Sequence, residues 1–504
     1  MSAEQTKKTV MAIVKEVTPG TPVKPTGAGD YLALQEGFDI EPAFESLENT
    51  EFTGSLGNSK PILGLENPSV SLSHYIRHSG MEGIEPDFGL ILEGAFGAKK
   101  IVATERDTTA GSTAGTSSAK AVLNVGVGEG VEFERGQAVL IKDAVRSIRN
   151  VESVSVDALT LNFNLASAPA SGVNLGKAVL YKPAETHPSL SIWNFRGNGT
   201  AMELVAGARV TELSIEANAG ELINGSFTMN GVEFFFNPID QITSSNNKID
   251  FEDDVGVKLA TVPVGYYKDP HDLAAAIQSA MNAVADDVIT VVYNNITGKF
   301  TISSDGVTTF DIFWQSGANT AQSIKFVLGF NNTDDTGAFT YTSDNPISLG
   351  AFHTPAFDSA DPLVAKNNEV FMGHYSNLVC FCASTLSFNM TNTLTDVLCV
   401  CAESGKQETL VTSREVSIEI TSILERYEAD IFRRFRENET TQFMYNFGFK
   451  SGGNWVEGKS CNLYVPTATI SSWKIGDNDG IISLEATLTA FVDAGKGEVY
   501  LNFL

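Results

Sequence analysis

The sequence predicts a mainly β protein in which one β-unit occurs twice. Strands are predicted at residues 38–40 and 70–76, and again at 386–390 and 416–420, with a long loop inside each pair. An apolar stretch with helical spacing follows each pair. Each copy then closes with a strand pair around a glycine turn, at residues 210–229 and 470–488. The 44 glycines and the many Thr, Ser and Asn residues are typical of turns in such a fold.

The length of the chain predicts more than these two units, because 504 residues exceed one ordinary domain. We predict an N-terminal arm over residues 1–30 and a first unit over 31–240, which carries a small β-module at 120–182. An inserted α+β domain follows over 241–350, and the second unit covers 351–504. The predicted fold class is therefore two tandem β-sandwich or half-barrel units with flanking helices, plus the α+β insert and the β-module.

Three apolar patterns with helical spacing predict helices, the first of which should face a sheet. They lie at residues 88–96, 270–281 and 425–436. Asp269 is suited to cap the second of these helices, with Pro270 in its first turn. Residues 289–293 and 299–302 predict a hairpin in the insert.

The formal net charge of −27 argues against a surface that grips nucleic acid, because phosphate binding needs clustered Lys and Arg. It permits DNA that moves past a repelling wall. No apolar run approaches about 18 residues, so no membrane insertion is predicted. No apolar core follows residues 1–5, so we expect no signal peptide and a chain made in a cytoplasm.

The cysteines form two C-x-C pairs, Cys380 with Cys382 and Cys399 with Cys401, and Cys461 stands alone. Alternation along a strand would place both thiols of a pair on one sheet face. A zinc site is one interpretation, but zinc sites more often use C-x-x-C turns. We favour buried free thiols in a reducing compartment.

No cluster of residues predicts catalysis or a bound cofactor. His74 and His78 would lie about 13 Å apart on a strand, too far to share one metal ion. Residues 252–254 lack the ligand spacing of a calcium loop, and we expect a solvated acidic turn there. Neither G-x-S-x-G nor H-E-x-x-H occurs. We therefore predict no enzyme, no cofactor and no metal site.

Arg433, Arg434 and Arg436 are the basic group that stands out against the negative charge. One interpretation places them at a subunit interface, where they meet acidic neighbours. The other is a solvated helix face with ion pairs between residues four apart.

Five segments follow one another in an informative order. They are residues 20–22 (GTP), 38–42 (FDIEP), 64–72 (GLENPSVSL), 83–97 (GIEPDFGLILEGAFG) and 225–231 (GSFTMNG). In this order they resemble the major tail tube proteins of long-tailed, non-contractile bacteriophages, and the second copy at 386–490 follows the same pattern.

The resemblance implies β-sandwich or half-barrel units whose inner sheets join edge to edge into a closed tube. A long loop of each unit, here residues 42–64 and 391–413, would pack on the neighbouring ring. The candidate inter-ring residues are Pro42, Phe52, Leu56, Pro61, Leu394, Leu398 and Leu410.

The resemblance also implies the partners and the location. Three chains with two units each would form a pseudo-hexameric ring, and the rings would stack into a tube that double-stranded DNA traverses without specific binding. The tape measure protein and the tail tip and terminator proteins would be partners. The protein would be assembled in the host cytoplasm and located in the virion tail, with the insert and the β-module on the outside of the tube.

A different class of function is a secreted or surface-displayed β-sandwich binding protein, with the insert as its ligand-binding head. The absence of a visible signal peptide and the crowded cysteines disfavour it. An enzyme acting on acidic or glycan substrates is a third hypothesis, which no catalytic motif supports.

Overall fold

A computed structural model describes residues 6–51, 60–197, 201–348, 352–357, 360–376, 380, 382–423, 429–478, 480–492, 495 and 497–504. The first unit opens with Val10–Lys15 (β1), Tyr31–Leu32 (β2), Asp39–Glu41 (β3), Phe44–Leu47 (β4), Ile62–Glu66 (β5), Ser69–Tyr75 (β6), helix Gly89–Phe96 (α1) and Gly97–Val102 (β7). The β-module contains Arg106–Asp107 (β8), Val122–Asn124 (β9), Ala138–Ile141 (β10), Ser147–Ser155 (β11), Ala158–Leu161 (β12) and Asn174–Leu175 (β13). The first unit resumes with Ala178–Pro183 (β14), Leu190–Arg196 (β15), Ala201–Asn218 (β16), Asn224–Asn230 (β17) and Glu233–Phe236 (β18).

The insert contains Lys248–Asp253 (β19), Gly256–Thr261 (β20), helix Pro270–Asn282 (α2), Ile289–Asn294 (β21), Lys299–Ser304 (β22), Asp311–Ile312 (β23), helix Lys325–Leu328 (α3) and Thr340–Thr342 (β24). The second unit contains Glu369–Gly373 (β25), Ala383–Leu398 (β26), Lys406–Ile423 (β27), helix Ala429–Glu437 (α4), Thr441–Ser451 (β28), Asn454–Asn478 (β29), Ile481–Ala490 (β30) and Tyr500–Phe503 (β31). Short 3-10 helices occur at Thr6–Lys8, Ala28–Asp30, Gly130–Glu132 and Thr320–Gln322.

The prediction of a mainly β fold with a half-barrel is confirmed, and the structure shows that its sheets are large and antiparallel. Eight strands form one antiparallel sheet, the front sheet, in the order β3–β6–β17–β16–β26–β27–β30–β29. Behind it lie a first back sheet, β2–β1–β15–β16–β18, and a second back sheet, β25–β28–β29–β31–β14–β7. The long strands β16 and β29 each run through the front sheet and one back sheet. The main hydrophobic core fills the space between front and back.

The two halves of the front sheet share one strand order. In chain order the first half contributes β3, β6, β16 and β17, and the second half contributes β26, β27, β29 and β30. In each half, the strand that comes last in the chain lies between the second and the third strands of that half. Both third strands carry a β-bulge, at Thr211 and Ser471. The Thr211 hydroxyl donates to the carbonyl of Thr228 (3.0 Å), and the Ser471 hydroxyl donates to the carbonyl of Thr487 (3.3 Å). Because bulges are specific local features, this match gives a residue-level alignment of the two halves.

The prediction of an N-terminal arm over residues 1–30 is wrong for β1. Residues 10–15 form a strand between β2 and β15, and Met11 and Ala12 are fully buried there. The run of apolar residues from Val10 to Val14 explains the strand, since such a run is stable only inside a packed sheet.

The β-module begins and ends earlier than the predicted 120–182. Its sheet, β8–β13–β10–β11–β12–β9, spans residues 106–175 and encloses its own apolar cluster. Residues 178–183 instead pair with β7 and β31 of the second back sheet. The module packs on the face of that sheet that points away from the front sheet, where Asn150 bonds the Asn462 amide.

The insert has its own hydrophobic core, which runs from Ile239 to Ile347. The predicted helix and hairpin are present as α2 and as β21 with β22. The Asp269 carboxylate accepts a hydrogen bond from the His271 backbone N–H (2.8 Å), so Asp269 is the N-cap as predicted. Tyr266 packs with residues on the outward face of the first back sheet. Both added domains therefore lie behind the back sheets.

The turn at residues 252–254 is not the solvated acidic turn that the sequence predicted. Asp253 is 1% exposed, and Asp254 accepts backbone hydrogen bonds from residues 307–309. These bonds hold the pKa of Asp254 well below its usual range. The acidic run therefore ties the loops of the insert together. Among the described residues, no helix has the length and apolar character needed to cross a bilayer.

Candidate functional site

One face of the front sheet is open to solvent and carries short polar side chains. Alternation along each strand sends the apolar residues of the front sheet into the main core and the polar ones outward. The outward positions are mostly Ser, Thr and Asn. The carboxylates on this face are Asp39, Glu41, Glu212, Glu216, Glu415, Glu419 and Glu485. On the described part of the face, the basic side chain is Lys474.

This arrangement makes a surface of predominantly negative charge. Among the described residues of this face, Tyr75 at the end of β6 is the one large aromatic side chain that points outward. Such a surface repels phosphate groups and offers no platform for stacking bases. It can guide a polyanion without holding it.

The two halves of the front sheet meet at an internal junction formed by β16 and β26. The pairs run from Glu212 opposite Thr391 to Asn218 opposite Thr385. Side-chain hydrogen bonds on the core side of the front sheet also stabilise the junction. The Asn392 amide donates to the carbonyls of Ala95 and Val210, each at 3.0 Å.

Arg414 makes further hydrogen bonds across the junction. Its guanidinium donates to the carbonyl of Phe96 at the end of α1 (3.0 Å) and to the ring of His187 (2.9 Å). Burial lowers the pKa of Arg414. Terminal helix carbonyls lack partners within the helix, so the second unit completes the C-terminus of a first-unit helix.

His187 is the titratable side chain that contacts both Arg414 and the end of α1 at the junction. Because the Arg414 guanidinium can only donate, Nε2 of His187 accepts, and Nδ1 carries the proton that it donates to the Gly94 carbonyl (2.8 Å). Burial lowers the pKa of His187, and the charges of Arg414 and Arg209 lower it further. The folded chain therefore resists protonation that the unfolded chain accepts below about pH 6.5.

We predict that stability falls as the pH drops from 7 towards the folded pKa of His187, and that His187→Gln removes part of this loss. Urea denaturation midpoints at pH 7 and pH 5.5 measure the effect. The matched control is His271→Gln, at an exposed histidine of the insert. Equal pH dependence of the wild type and His187→Gln would contradict the prediction.

The two predicted inter-ring loops are β-ribbons in their described parts. The first arm, residues 42–66, contains β4 paired with β5, and the second arm, residues 391–413, is the extension of the β26–β27 hairpin. The loop prediction was wrong because the first ribbon contains a bulge that breaks the alternation. In the second, runs of Thr, Val and Leu are strand formers.

The predicted inter-ring residues lie on these arms. Pro42 and Pro61 are exposed, Leu394 is half-buried, and Leu398 and Leu410 are 64% and 43% exposed. Phe52 and Leu56 lie outside the described residues. The first arm also exposes apolar side chains, namely Phe44, Leu47, Ile62 and Leu63.

The second arm is anchored on the first unit at its turn. The Lys406 ammonium, which is buried, contacts Asp396 (3.0 Å) and donates to Asn67. The Glu66 N–H donates to the Ser404 carbonyl (3.3 Å). Exposed apolar side chains on an anchored ribbon are typical of a contact surface.

The three arginines lie on α4 and pair with glutamates at its end. Arg433 contacts Glu437 (2.7 Å) and Glu439, and Arg434 contacts Glu439 (3.4 Å). The Arg436 side chain is 66% exposed, with Glu437 at 3.2 Å. These contacts fit the interpretation as local ion pairs and leave Arg436 accessible to a further partner.

All five cysteines are free thiols, as predicted, but the prediction that they are buried was wrong for four of them. Cys380, Cys382 and Cys401 are exposed, Cys399 is half-buried, and only Cys461 is buried. The C-x-C pairs lie before β26 and at the turn of the second arm, outside the paired parts of the strands. Within the described residues, no three His, Cys, Asp or Glu side chains are grouped so as to hold a metal ion.

Sequence reasoning missed Lys474, Asn392 and Arg414. Lys474 is the one basic residue between residues 460 and 478, and this was visible in the sequence. The roles of Asn392 and Arg414 depend on a helix more than 290 residues earlier in the chain (Asn392 to Ala95 is a separation of 297), so no local pattern reveals them.

Comparison with protein-family models gives no match for this chain, and comparison with curated proteins gives none either.

Proposed function

We propose that this protein is a structural subunit of a phage tail tube, which polymerises into stacked rings around a channel for double-stranded DNA. One observation carries the proposal: two units of equal strand order join edge to edge in a single sheet with an acidic, polar face. A sheet extended by repeating this junction would curve and close on itself. Closure removes the exposed strand edges.

The front face suits the wall of such a channel. Its carboxylates would repel the phosphates of DNA, and its short polar side chains would leave the passage smooth. The role is passive and non-catalytic, without a cofactor.

The positions of the added domains support the same orientation. The β-module lies on the second back sheet and the insert on the first, both away from the front face. With the front face towards the channel, both domains would lie on the outside of the tube, where they leave the path of the DNA clear.

Two units per chain favour a ring of three chains that acts as a pseudo-hexamer, as the resemblance to tail tube proteins implies. The tape measure protein, tail tip and terminator proteins are the proposed partners, and the virion tail the proposed location. The arms, with their exposed apolar side chains, would contact the next ring.

Electron microscopy of the purified protein, with symmetry analysis, tests the proposal. Stacked rings with three-fold symmetry and six similar lobes are expected. Six chains per ring would keep the tube and contradict the pseudo-hexamer. A monomer that never polymerises, even at high concentration or with a tail-tip nucleus, would favour a binding protein instead.

A second prediction concerns the charge of the channel. Virions that carry Glu212→Lys, Glu216→Lys and Glu419→Lys should form normal tubes but release DNA more slowly, because the lysines attract phosphate. The slowing should diminish as salt rises, since attraction to phosphate is screened. The control carries glutamine at the same positions. Unchanged release by the lysine variant at low salt would contradict the role of the face.

A further inference from the structure

The internal junction provides a template for a contact between chains. Across β16 and β26, Ile215 lies opposite Phe388 and Ser214 lies opposite Asn389. The apolar pair faces the core, where Ile215 is 2% exposed and Phe388 fully buried. The polar pair faces outward on the front face.

The two halves of the front sheet align residue by residue through their pairing. In the first half one row of opposite residues crosses the four strands, Val210, Met229, Val70 and Ile40. In the second half the row is Ile470, Leu488, Ile418 and Phe388. Both rows lie next to the matching bulges described above. Ile40 therefore corresponds to Phe388.

The same alignment gives the counterparts on the third strands. Ile215 lies five residues after Val210, and Ile475 lies five residues after Ile470. Ile475 therefore corresponds to Ile215.

Both outer edges of the front sheet are open in the described residues. β3 pairs only with β6, and residues 468–478 of β29 pair only with β30. Ile475 is 50% exposed, whereas Ile215 is 2% exposed. Both side chains point towards the core side of the sheet. Ile475 is more exposed because it lacks the neighbouring strand that covers Ile215. An open edge with an exposed apolar residue is a template for another strand.

We propose that the open edge of β29 pairs with β3 of a second copy of this chain, in the register of the internal junction. Ile475 then lies opposite Ile40 of the second copy, Lys474 opposite its Glu41, and Gly476 opposite its Asp39. This register rests on the proposed function, which requires that chains join into rings, and it adds the residues that join them.

The charges fit this register. The Lys474 side chain is 68% exposed and has Glu485 on one side, with Nζ and Oε2 3.1 Å apart. Glu41 would occupy its other side. Opposite charges directly across an antiparallel pair stabilise it, and like charges destabilise it. Lys474 is thus the basic residue of the front face placed where two acidic surfaces meet.

The arginines of α4 fit the same contact. By the alignment, Phe44 corresponds to Asn392, which bonds the end of α1 at the internal junction. The first arm of the second copy would therefore begin beside the end of α4. That arm carries Glu45 and Glu48, and Arg436 is exposed there. The arginines would meet an acidic arm.

A charge exchange tests the register. Lys474→Glu should raise the concentration needed for half-maximal ring assembly by about three- to tenfold, since a like-charge pair replaces an opposite one at every contact between chains. Adding Glu41→Lys should restore assembly. Within one chain these two residues lie about 34 Å apart across the eight strands, so the rescue must act between chains. Sedimentation velocity measures assembly, and circular dichroism checks the fold.

Two controls separate the possible outcomes. Lys474→Glu with Glu485→Lys restores only the pair within the chain, and Lys474→Glu with Asp39→Lys restores a register shifted by two residues. Rescue by Glu41→Lys alone supports the proposed register. Equal or better rescue by either control overturns the proposed register but does not contradict the proposed function as a tail tube subunit. Failure of the wild type to assemble into rings would overturn the proposed function itself.

Discussion

Replacing Leu398, Val400 and Leu410 with serine is expected to leave single rings intact and to abolish their stacking into tubes. These side chains are 64%, 103% and 43% exposed on the second arm. Burying each against a neighbouring ring would contribute about 1 kcal/mol or more, and the contacts recur with every chain. Their loss should therefore shift assembly strongly towards free rings. Negative-stain electron microscopy and sedimentation velocity distinguish rings from tubes.

The chain offers a matched control in the insert. Val288, Ile296 and Val307 are 59%, 96% and 82% exposed, and serine at these positions makes the same chemical change outside the arms. The control variant should form tubes like the wild type. Tubes of normal length from the arm variant would show that the arms do not stack the rings.

The serine variant changes only exposed residues of the second arm and leaves the residues that anchor the arm unchanged. Lys406, Asp396 and Asn67 hold the arm to the first unit and remain unchanged in it. Thermal unfolding of the variant should match the wild type, because exposed apolar residues contribute little to the stability of the free chain. A loss of stacking with an unchanged melting temperature would assign the effect to contacts between rings.

Local patterns predicted the parts of the fold that depend on neighbouring residues. The Asp269 cap, helix α2 and the β21–β22 hairpin all follow from capping, helical spacing and a turn sequence. The strands predicted at residues 38–40 and 70–76 are present as β3 and β6, which pair with each other. The cap, the helix and the hairpin are stabilised mainly by contacts close in the chain.

Long-range contacts decided what the sequence did not predict. β1 is a strand because it lies between β2 and β15, and its sequence near a Pro- and Gly-rich stretch was interpreted as an arm. The exposure of the C-x-C pairs depends on whether other parts of the fold cover the strand ends near them. The open edges of β3 and β29 became visible only when the strand order was known, because an edge is a property of the whole sheet.

The contact between the β-module and the second back sheet depends on buried asparagines. Asn150, Asn446, Asn462 and Asn502 are all fully buried. The side-chain oxygen of Asn462 accepts hydrogen bonds from the side-chain amides of Asn150 (2.7 Å) and Asn502 (3.2 Å). The side-chain amide nitrogen of Asn462 donates to the side-chain oxygen of Asn446 (2.7 Å). Such a network stabilises a fold only while every member is paired.

Replacing Asn462 with leucine should therefore lower the free energy of unfolding by about 3 kcal/mol or more. The substitution keeps the branching and the number of side-chain heavy atoms but leaves the side-chain oxygen of Asn446 without a donor. It also removes two hydrogen bonds of Asn150 and one of Asn502. A buried polar group without a partner costs about 1–3 kcal/mol. The denaturation midpoint in urea, followed by fluorescence, measures the loss.

The double variant Asn446→Leu with Asn462→Leu should lose less than the sum of the two single variants, because it removes the unpaired oxygen together with its donor. Asn295→Leu, at an exposed position of the insert, controls for the chemical change and should shift the free energy by less than about 0.5 kcal/mol. Additive losses in the double variant would show that the asparagines act independently. A small loss from Asn462→Leu alone would mean that packing, and not the amide network, holds the module on the sheet.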